Sequence, residues 1–315
     1  PFVFDIDRDV VMGHEFSARV AALGAGVTNV SPGDIVVSMP VMLSAEGFAA
    51  IGYSNQYPGG YAERMLLTAG LCLAVPAGLD PRHAALTEPM AVGLHAVAKS
   101  GIKPGDAALV LGCGPVGLAV IAALKLAGIE PIVAADFSAM RRSLATRLGA
   151  HDVADPGVET AIAAWQRVDG NRPLVIFEAV GVPGMLDRAM RDAPRAARIL
   201  VVGVCMETDA IWPIVGINKE LSIQFALGYT PEEFSRTLAH GRCMRVERLL
   251  ENGTECHGIV NAAAFLRQPP APLKHGPVVA LPGRAEAAQA KPSCELNRRD
   301  RGRDDFVVGR EGQES

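Results

Sequence analysis

Between residues 107 and 118 a short apolar run meets Gly112, Gly114 and Gly117, then continues as an apolar stripe of Leu118, Ile121, Ala122, Leu124 and Leu126. The pattern reads as a strand, a tight glycine turn and the opening of a helix, the context in which a dinucleotide-binding fingerprint carries meaning. Gly112 permits the sharp turn, Gly114 leaves room for a pyrophosphate to approach the backbone, and Gly117 lets strand and helix pack closely. The phosphates would meet N–H groups at the positive end of a helix that begins near Pro115 and Val116. A second apolar run, residues 131–136, ends in Asp136, 19 residues beyond Gly117. A carboxylate there accepts both ribose hydroxyls of NAD and repels the 2′-phosphate of NADP, which favours NAD. The competing reading is an ordinary βαβ unit with glycine turns.

Strands are expected near 107–112, 131–136, 173–178, 198–203 and 221–226, and helices near 115–128, 138–149, 157–167 and 183–193. Near-continuous apolar strands such as Leu174–Phe177 suit a parallel sheet buried on both faces, so this part is a doubly wound α/β domain. Its strand ends carry Glu178, Gly181 and Gly203, at the edge where such folds bind ligands. Upstream, residues 10–76 hold short apolar runs broken by glycine and proline, the signature of a small irregular β-domain. A helical stretch follows over 81–100, with Ala85, Met90, Val92, Leu94 and Val97 as expected buried positions. After about His240 the periodicity fades into Pro-, Ala- and Gly-rich sequence and then dense mixed charge, which argues for weak order. The expected divisions are 1–96, 97–235 and an atypical tail, 236–315.

The chain is 49% hydrophobic over 315 residues with a net charge of −4, enough core for two domains and no broad basic surface. Nucleic acid and anionic membranes are therefore not expected partners. No apolar run approaches the roughly 18 residues of a bilayer span, and no leader pattern precedes the domain, so a cytoplasmic protein is expected. The six cysteines, at 72, 113, 205, 243, 256 and 294, form no CxxC pair and read as reduced thiols.

Five motifs share one order along the chain: Gly13-His14-Glu15, Pro32-Gly33-Asp34, Gly59-Gly60-Tyr61-Ala62-Glu63, Glu88-Pro89 and then the glycine fingerprint. In this the chain resembles the zinc-dependent medium-chain dehydrogenase/reductase family, most of all its polyol, threonine and formaldehyde dehydrogenase branch, over residues 10–240. The resemblance implies a partial GroES-like β-domain followed by a Rossmann domain. It also implies a catalytic zinc with His14 as ligand, Glu15 as ligand or close neighbour, and Glu88 in the third position. Zinc accepts such donors and keeps one position open for an alcohol oxygen. The implied reaction passes a hydride from an alcohol to NAD, with an alcohol or aldehyde as the small-molecule partner and a homo-oligomeric assembly, dimer or tetramer. Outside that motif order, His14 would more often be a surface or core histidine.

Three departures qualify the resemblance. The family's cysteine ligand lies some tens of residues before the Gly-His-Glu motif, whereas this chain has 13 residues before His14. The zinc site is thus expected to be incomplete, with less than a full equivalent of metal and very low activity in these 315 residues alone. No cysteine stands between Ser38 and Gly59, so no structural zinc is expected. After Leu238 the match dissolves, and the remainder reads as out-of-frame translation or a fusion junction. Two alternatives stay open: a catalytically silent NAD-binding protein, and a zinc-free quinone reductase-like enzyme. Arg141 lies along the adenine side or on a solvated helix face, and His83 and His95 read as packed or surface residues. Trp212 and Tyr229 read as core or subunit-contact residues.

Overall fold

The computed structural model describes residues 8–44 and 47–239 and the strand Pro277–Ala280. The first part is a β-domain. Strands β1 (Ala18–Ala22), β2 (Ile35–Ser38), β3 (Val41–Ser44), β4 (Gly47–Ala50), β5 (Met65–Leu67) and β6 (Cys72–Ala74) follow one another along the chain, with longer loops after β1 and β4. β1 pairs antiparallel with β2, and β2 with β6; β3 and β4 form a separate two-stranded ladder. The turn into β2 is set by Asp34, whose carboxylate accepts the Ser31 N–H at 2.8 Å. Alternate residues Ala18, Val20 and Val36 face inward onto Phe16, Ile51, Met65 and Leu67. The β3–β4 ladder occupies the stretch that carries no cysteine.

Helices α1 (Pro81–Ala84) and α2 (Thr87–Ser100) lead into the second part. Here strands β7 (Ala107–Leu111), β8 (Ile132–Ala135), β9 (Asp152–Ala154), β10 (Leu174–Glu178), β11 (Arg198–Val201) and β12 (Ser222–Phe225) alternate with helices α3 (Pro115–Leu126), α4 (Ala139–Leu148), α5 (Ala161–Asp169), α6 (Met185–Asp192) and α7 (Pro213–Lys219). All six strands pair in parallel, in the order β12-β11-β10-β7-β8-β9. The chain runs outward from β7 to one edge, then returns to β10 and runs to the other. The switch point therefore lies between β7 and β10. One face of the sheet packs Ala108, Val110, Val175 and Phe177 against α2, α3 and α4; the other packs Ala107, Leu109 and Ile176 against Trp165, Ala189 and Met190.

The expected strands and helices of this domain all form, with shifted ends. The helix expected over 157–167 starts at Ala161 because the Thr160 hydroxyl caps it, accepting the Ala163 N–H at 3.1 Å. β9 has only three residues and α7 only seven, too short for a periodic signal, and neither was expected. On α2, Met90 and Val97 are buried as expected, while Val92 and Leu94, and Ala85 just before the helix, are half-buried. The seam against α3 is closest at Gly93, where a Cβ would stand 2.5 Å from the Ala119 carbonyl carbon, and small Ala96 lies in the same core cluster as the α3 residues.

Two findings modify the expected tail. A helix α8 (Pro231–Ala239) crosses the boundary drawn at 235 and packs Phe234 and Leu238 against Val37, Leu79, Ala84 and Ala91. Strand β13 (Pro277–Ala280) inserts between β1 and β5, parallel to both, so the first sheet reads β5-β13-β1-β2-β6. Four residues of the expected weakly ordered tail thus complete the β-domain sheet. The remaining tail residues lie outside the described ones.

Candidate metal and dinucleotide sites

The Gly-His-Glu motif is fastened by its backbone. Val11, Met12 and Gly13 carbonyls accept the N–H groups of Gly59 (2.7 Å), Tyr61 (3.1 Å) and Gly60 (2.7 Å), which joins the Gly-His-Glu and Gly-Gly-Tyr-Ala-Glu motifs into one knot. Gly59 is required there: a Cβ on it would overlap the Gly13 carbonyl oxygen and stand 2.6 Å from that of Met12. Glu88 arrives from the first turn of α2, where the positive end of a helix favours a carboxylate.

This knot and this helix bring His14, Glu15 and Glu88 together, with one ligand atom of each within 4.8 Å of the others. His14 Nε2 lies 3.9 Å from Glu88 Oε2. Burial pushes the Glu15 carboxyl up; burial and the neighbouring Glu15 push Glu88 up to about 8. Burial lowers His14, keeping its imidazole neutral. A neutral imidazole and two crowded, half-desolvated carboxylates are a donor set that a divalent cation satisfies, and zinc accepts these atoms. The three expected ligands therefore fit the metal. Cys72, Cys113 and Cys205 are not members of the group among the described residues, and burial raises the Cys72 thiol to about 11 and Cys113 to about 12.

Two tyrosines complete the arrangement, and sequence reasoning missed both. Tyr53, on the loop after β4, places its hydroxyl 3.0 Å from His14 Nδ1, so that Nε2 is the nitrogen turned toward the carboxylates. Tyr229 precedes α8 and hydrogen-bonds the Glu88 side chain. It stacks on Phe234 with ring centroids 5.4 Å apart, and α8 is further tied to α2 by His95 Nδ1 and Glu233 Oε2 at 2.9 Å. Neither tyrosine lies in a motif, and each reaches its partner only through folding. Replacing Tyr53 with phenylalanine should weaken zinc affinity about tenfold by freeing the His14 ring. Metal titration with a competing chelator measures this, and dinucleotide affinity should not change.

At the other site the glycine turn has the expected form. Gly112 has a φ of +88°, and any Cβ on Gly117 would overlap the Gly112 carbonyl oxygen. Gly114 is the N-cap of α3 with Pro115 at the first helical position, so the helix's first N–H groups, from Val116 and Gly117, open toward the turn. The Asp136 carboxylate accepts the N–H of Cys113 and of Ser138, both at 2.8 Å, linking the turn to the end of β8. Arg141 Nη1 lies 3.7 Å from Asp136 and its side chain is 43% exposed. Gly203 stands at the end of β11 against Gly181 and Glu178. Trp212 is not in the core: it is 62% exposed, with Arg191 over its ring at 4.8 Å.

Both segments match known protein families. Residues 3–77 match the alcohol dehydrogenase GroES-like domain and residues 115–241 the zinc-binding dehydrogenase domain. The (R,R)-butanediol dehydrogenase of Bacillus subtilis is 35% identical over 234 residues, covering 70% of this chain and 66% of that protein. A crystal structure of the 2R,3R-butanediol dehydrogenase from Bacillus subtilis superposes with a TM-score of 0.62 at 34% identity, over 74% of this chain and 69% of that one. The chain belongs to the zinc-binding dehydrogenase family. Sheep sorbitol dehydrogenase is 27% identical over 72% of this chain and 68% of its own. A zinc-binding dehydrogenase target from Sinorhizobium meliloti, solved with NADP, gives a TM-score of 0.66 at 26% identity over 75% of this chain and 73% of that one. The chain thus spans about two thirds of its relatives' length. His14 and Glu15 fall in the first matched segment and the helix after the glycine turn in the second. No helix among the described residues is long and apolar enough to cross a membrane.

Proposed function

We propose that these residues serve the oxidation of a small secondary alcohol, a diol or polyol, by hydride transfer to NAD. The observation that carries it is the convergence of His14, Glu15 and Glu88 beside a Rossmann domain whose glycine turn opens onto a helix N-terminus. His14 Nε2, Glu15 and Glu88 would hold zinc. When bound, zinc supplies Lewis-acid chemistry that makes an alcohol easier to deprotonate. Tyr53 orients His14, and Tyr229 orients Glu88. The turn from Gly112 to Gly117 seats the pyrophosphate, and the strand ends at the switch point leave a crevice for the nicotinamide. Overall the alcohol carbon loses a hydride to NAD and its oxygen loses a proton. A zinc-free quinone reductase has no use for this donor set.

The test supplies zinc, NAD or NADP, and 2,3-butanediol or sorbitol, and follows reduced nicotinamide and bound metal. Zinc-dependent turnover supports the proposal. Dinucleotide binding with no metal-dependent turnover would instead favour a silent NAD-binding protein, and metal analysis of the same sample tests the expected substoichiometric zinc.

NAD rather than NADP is the proposed partner because Asp136 places a carboxylate at the end of β8, where it repels a 2′-phosphate. Asp136→Asn keeps one acceptor oxygen for the turn and removes the charge. It should move the ratio of NAD to NADP affinity by about tenfold toward NADP, roughly 1.4 kcal/mol. An unchanged ratio in paired titrations would remove Asp136 from the ribose role.

Self-association is proposed through the β12 edge. Trp212, Ile214, Ile217, Phe225 and Leu227 are all exposed along β12 and α7, and α7 buries none of its residues. Among the described residues β12 is the edge strand of its sheet, and such an edge flanked by apolar side chains is a surface that a second copy can cover.

A further inference from the structure

Glu178 ends β10 at the switch point and is 2% exposed, a buried carboxylate to which the proposed reaction assigns no task. Its Oε1 accepts the N–H groups of Val180 at 2.8 Å and Gly181 at 2.9 Å. Its main-chain carbonyl accepts those of Val202 and Gly203, both at 2.8 Å. One residue therefore ties the loop leaving β10 to the end of β11. The two backbones touch: a Cβ on Gly203 would overlap Gly181 and stand 2.9 Å from Glu178 Oε2.

The loop held in this way is also the wall of the glycine turn. The Ala179 N–H donates to the Leu111 carbonyl at 2.9 Å. A Cβ on Gly112 would stand 2.9 Å from Val180 Cγ2 and 3.0 Å from the Ala179 oxygen, and one on Gly117 3.5 Å from Ala179 Cβ. Displacing residues 179–181 would thus displace the surface against which the turn is seated. We infer that Glu178 is a positioning residue for the dinucleotide: its side chain fixes residues 179–181, the loop that walls the glycine turn and abuts the end of β11, and so preforms the crevice at the carboxyl edge of the sheet. The inference rests on the dinucleotide reading above. Glu178 acts through backbone and does not touch the ligand. A carboxamide oxygen can accept the same two N–H groups, whereas an aliphatic side chain leaves both without an acceptor.

The test compares Glu178→Gln, Glu178→Asp and Glu178→Leu with the unaltered chain by fluorescence titration of NADH and NADPH, alongside thermal unfolding and zinc content. Glu178→Leu should weaken binding about tenfold or more, and Glu178→Gln should stay within about threefold of the unaltered chain. Zinc content should be the same in all. Glu178→Asp, one methylene short of reaching both N–H groups, should fall between them and takes the place of the Leu variant if that chain does not fold. A purely structural role would lower the thermal midpoint while leaving affinity equal across the folded variants, and that result overturns the inference. Failure of the unaltered chain to bind either dinucleotide overturns the dinucleotide reading itself, and the inference with it.

Discussion

Replacing His14 with alanine should lower zinc affinity by at least about 100-fold while dinucleotide affinity stays within about threefold. His14 contributes the only nitrogen donor of the His14–Glu15–Glu88 group. Its removal leaves two crowded, partly buried carboxylates, and burial and the neighbouring Glu15 already hold Glu88 up to about 8. Near neutral pH a proton then competes with the metal for Glu88. The surrounding frame should survive, because the knot between residues 11–13 and 59–61 is made of backbone hydrogen bonds and does not use the imidazole. Metal-dependent alcohol oxidation should be lost together with the metal. Zinc content equal to that of the unaltered chain, measured on the same preparation, would remove His14 from the ligand set.

Gly114→Val should have the opposite signature, with dinucleotide binding weakened by about 100-fold or more and zinc content unchanged. The position is suited to this test because the φ of Gly114 is −69°, which any residue adopts, and an added Cβ meets nothing within 4 Å. The folded chain should therefore lose only about 1 kcal/mol or less, for the altered helix cap. The new side chain would stand where the pyrophosphate must approach the first turn of α3. Gly117 could not serve in its place, since any side chain there overlaps the Gly112 carbonyl and would damage the turn itself. Wild-type affinity for NADH in a folded Gly114→Val chain would defeat the fingerprint reading. With His14→Ala it forms a double dissociation that separates the two sites by experiment.

The local parts of both sites were legible because each depends on neighbours in sequence. Glycine spacing prescribes the turn, the alternation of apolar runs prescribes the parallel sheet, and Asp136 falls at a strand end whose distance from the turn follows from one helix and one strand. The motif order indicated His14, Glu15 and Glu88, and the fold gathers them. The expectations that shifted concerned short elements and large separations. β9 and α7 are too brief to show a period, and Pro277–Ala280 joins the first sheet from more than two hundred residues away.

Tyr53 and Tyr229 show where the division lies. Nothing around Tyr53 marks it, and its hydroxyl finds His14 only because the Gly13–Gly59 knot folds that loop across the motif. Tyr229 reaches Glu88 because α8 packs on α2 and Phe234 fills the space between Val37, Leu79 and Ala91. Glu178, equally, looks like the last polar residue of a strand until β11 is seen beside it. The sequence alone determined which residue types could bind a dinucleotide and a metal, since those depend on backbone conformation and donor chemistry carried within each motif. Tertiary structure alone decided which side chains orient them, because burial and hydrogen-bond partners across a hundred residues are set by how the layers pack.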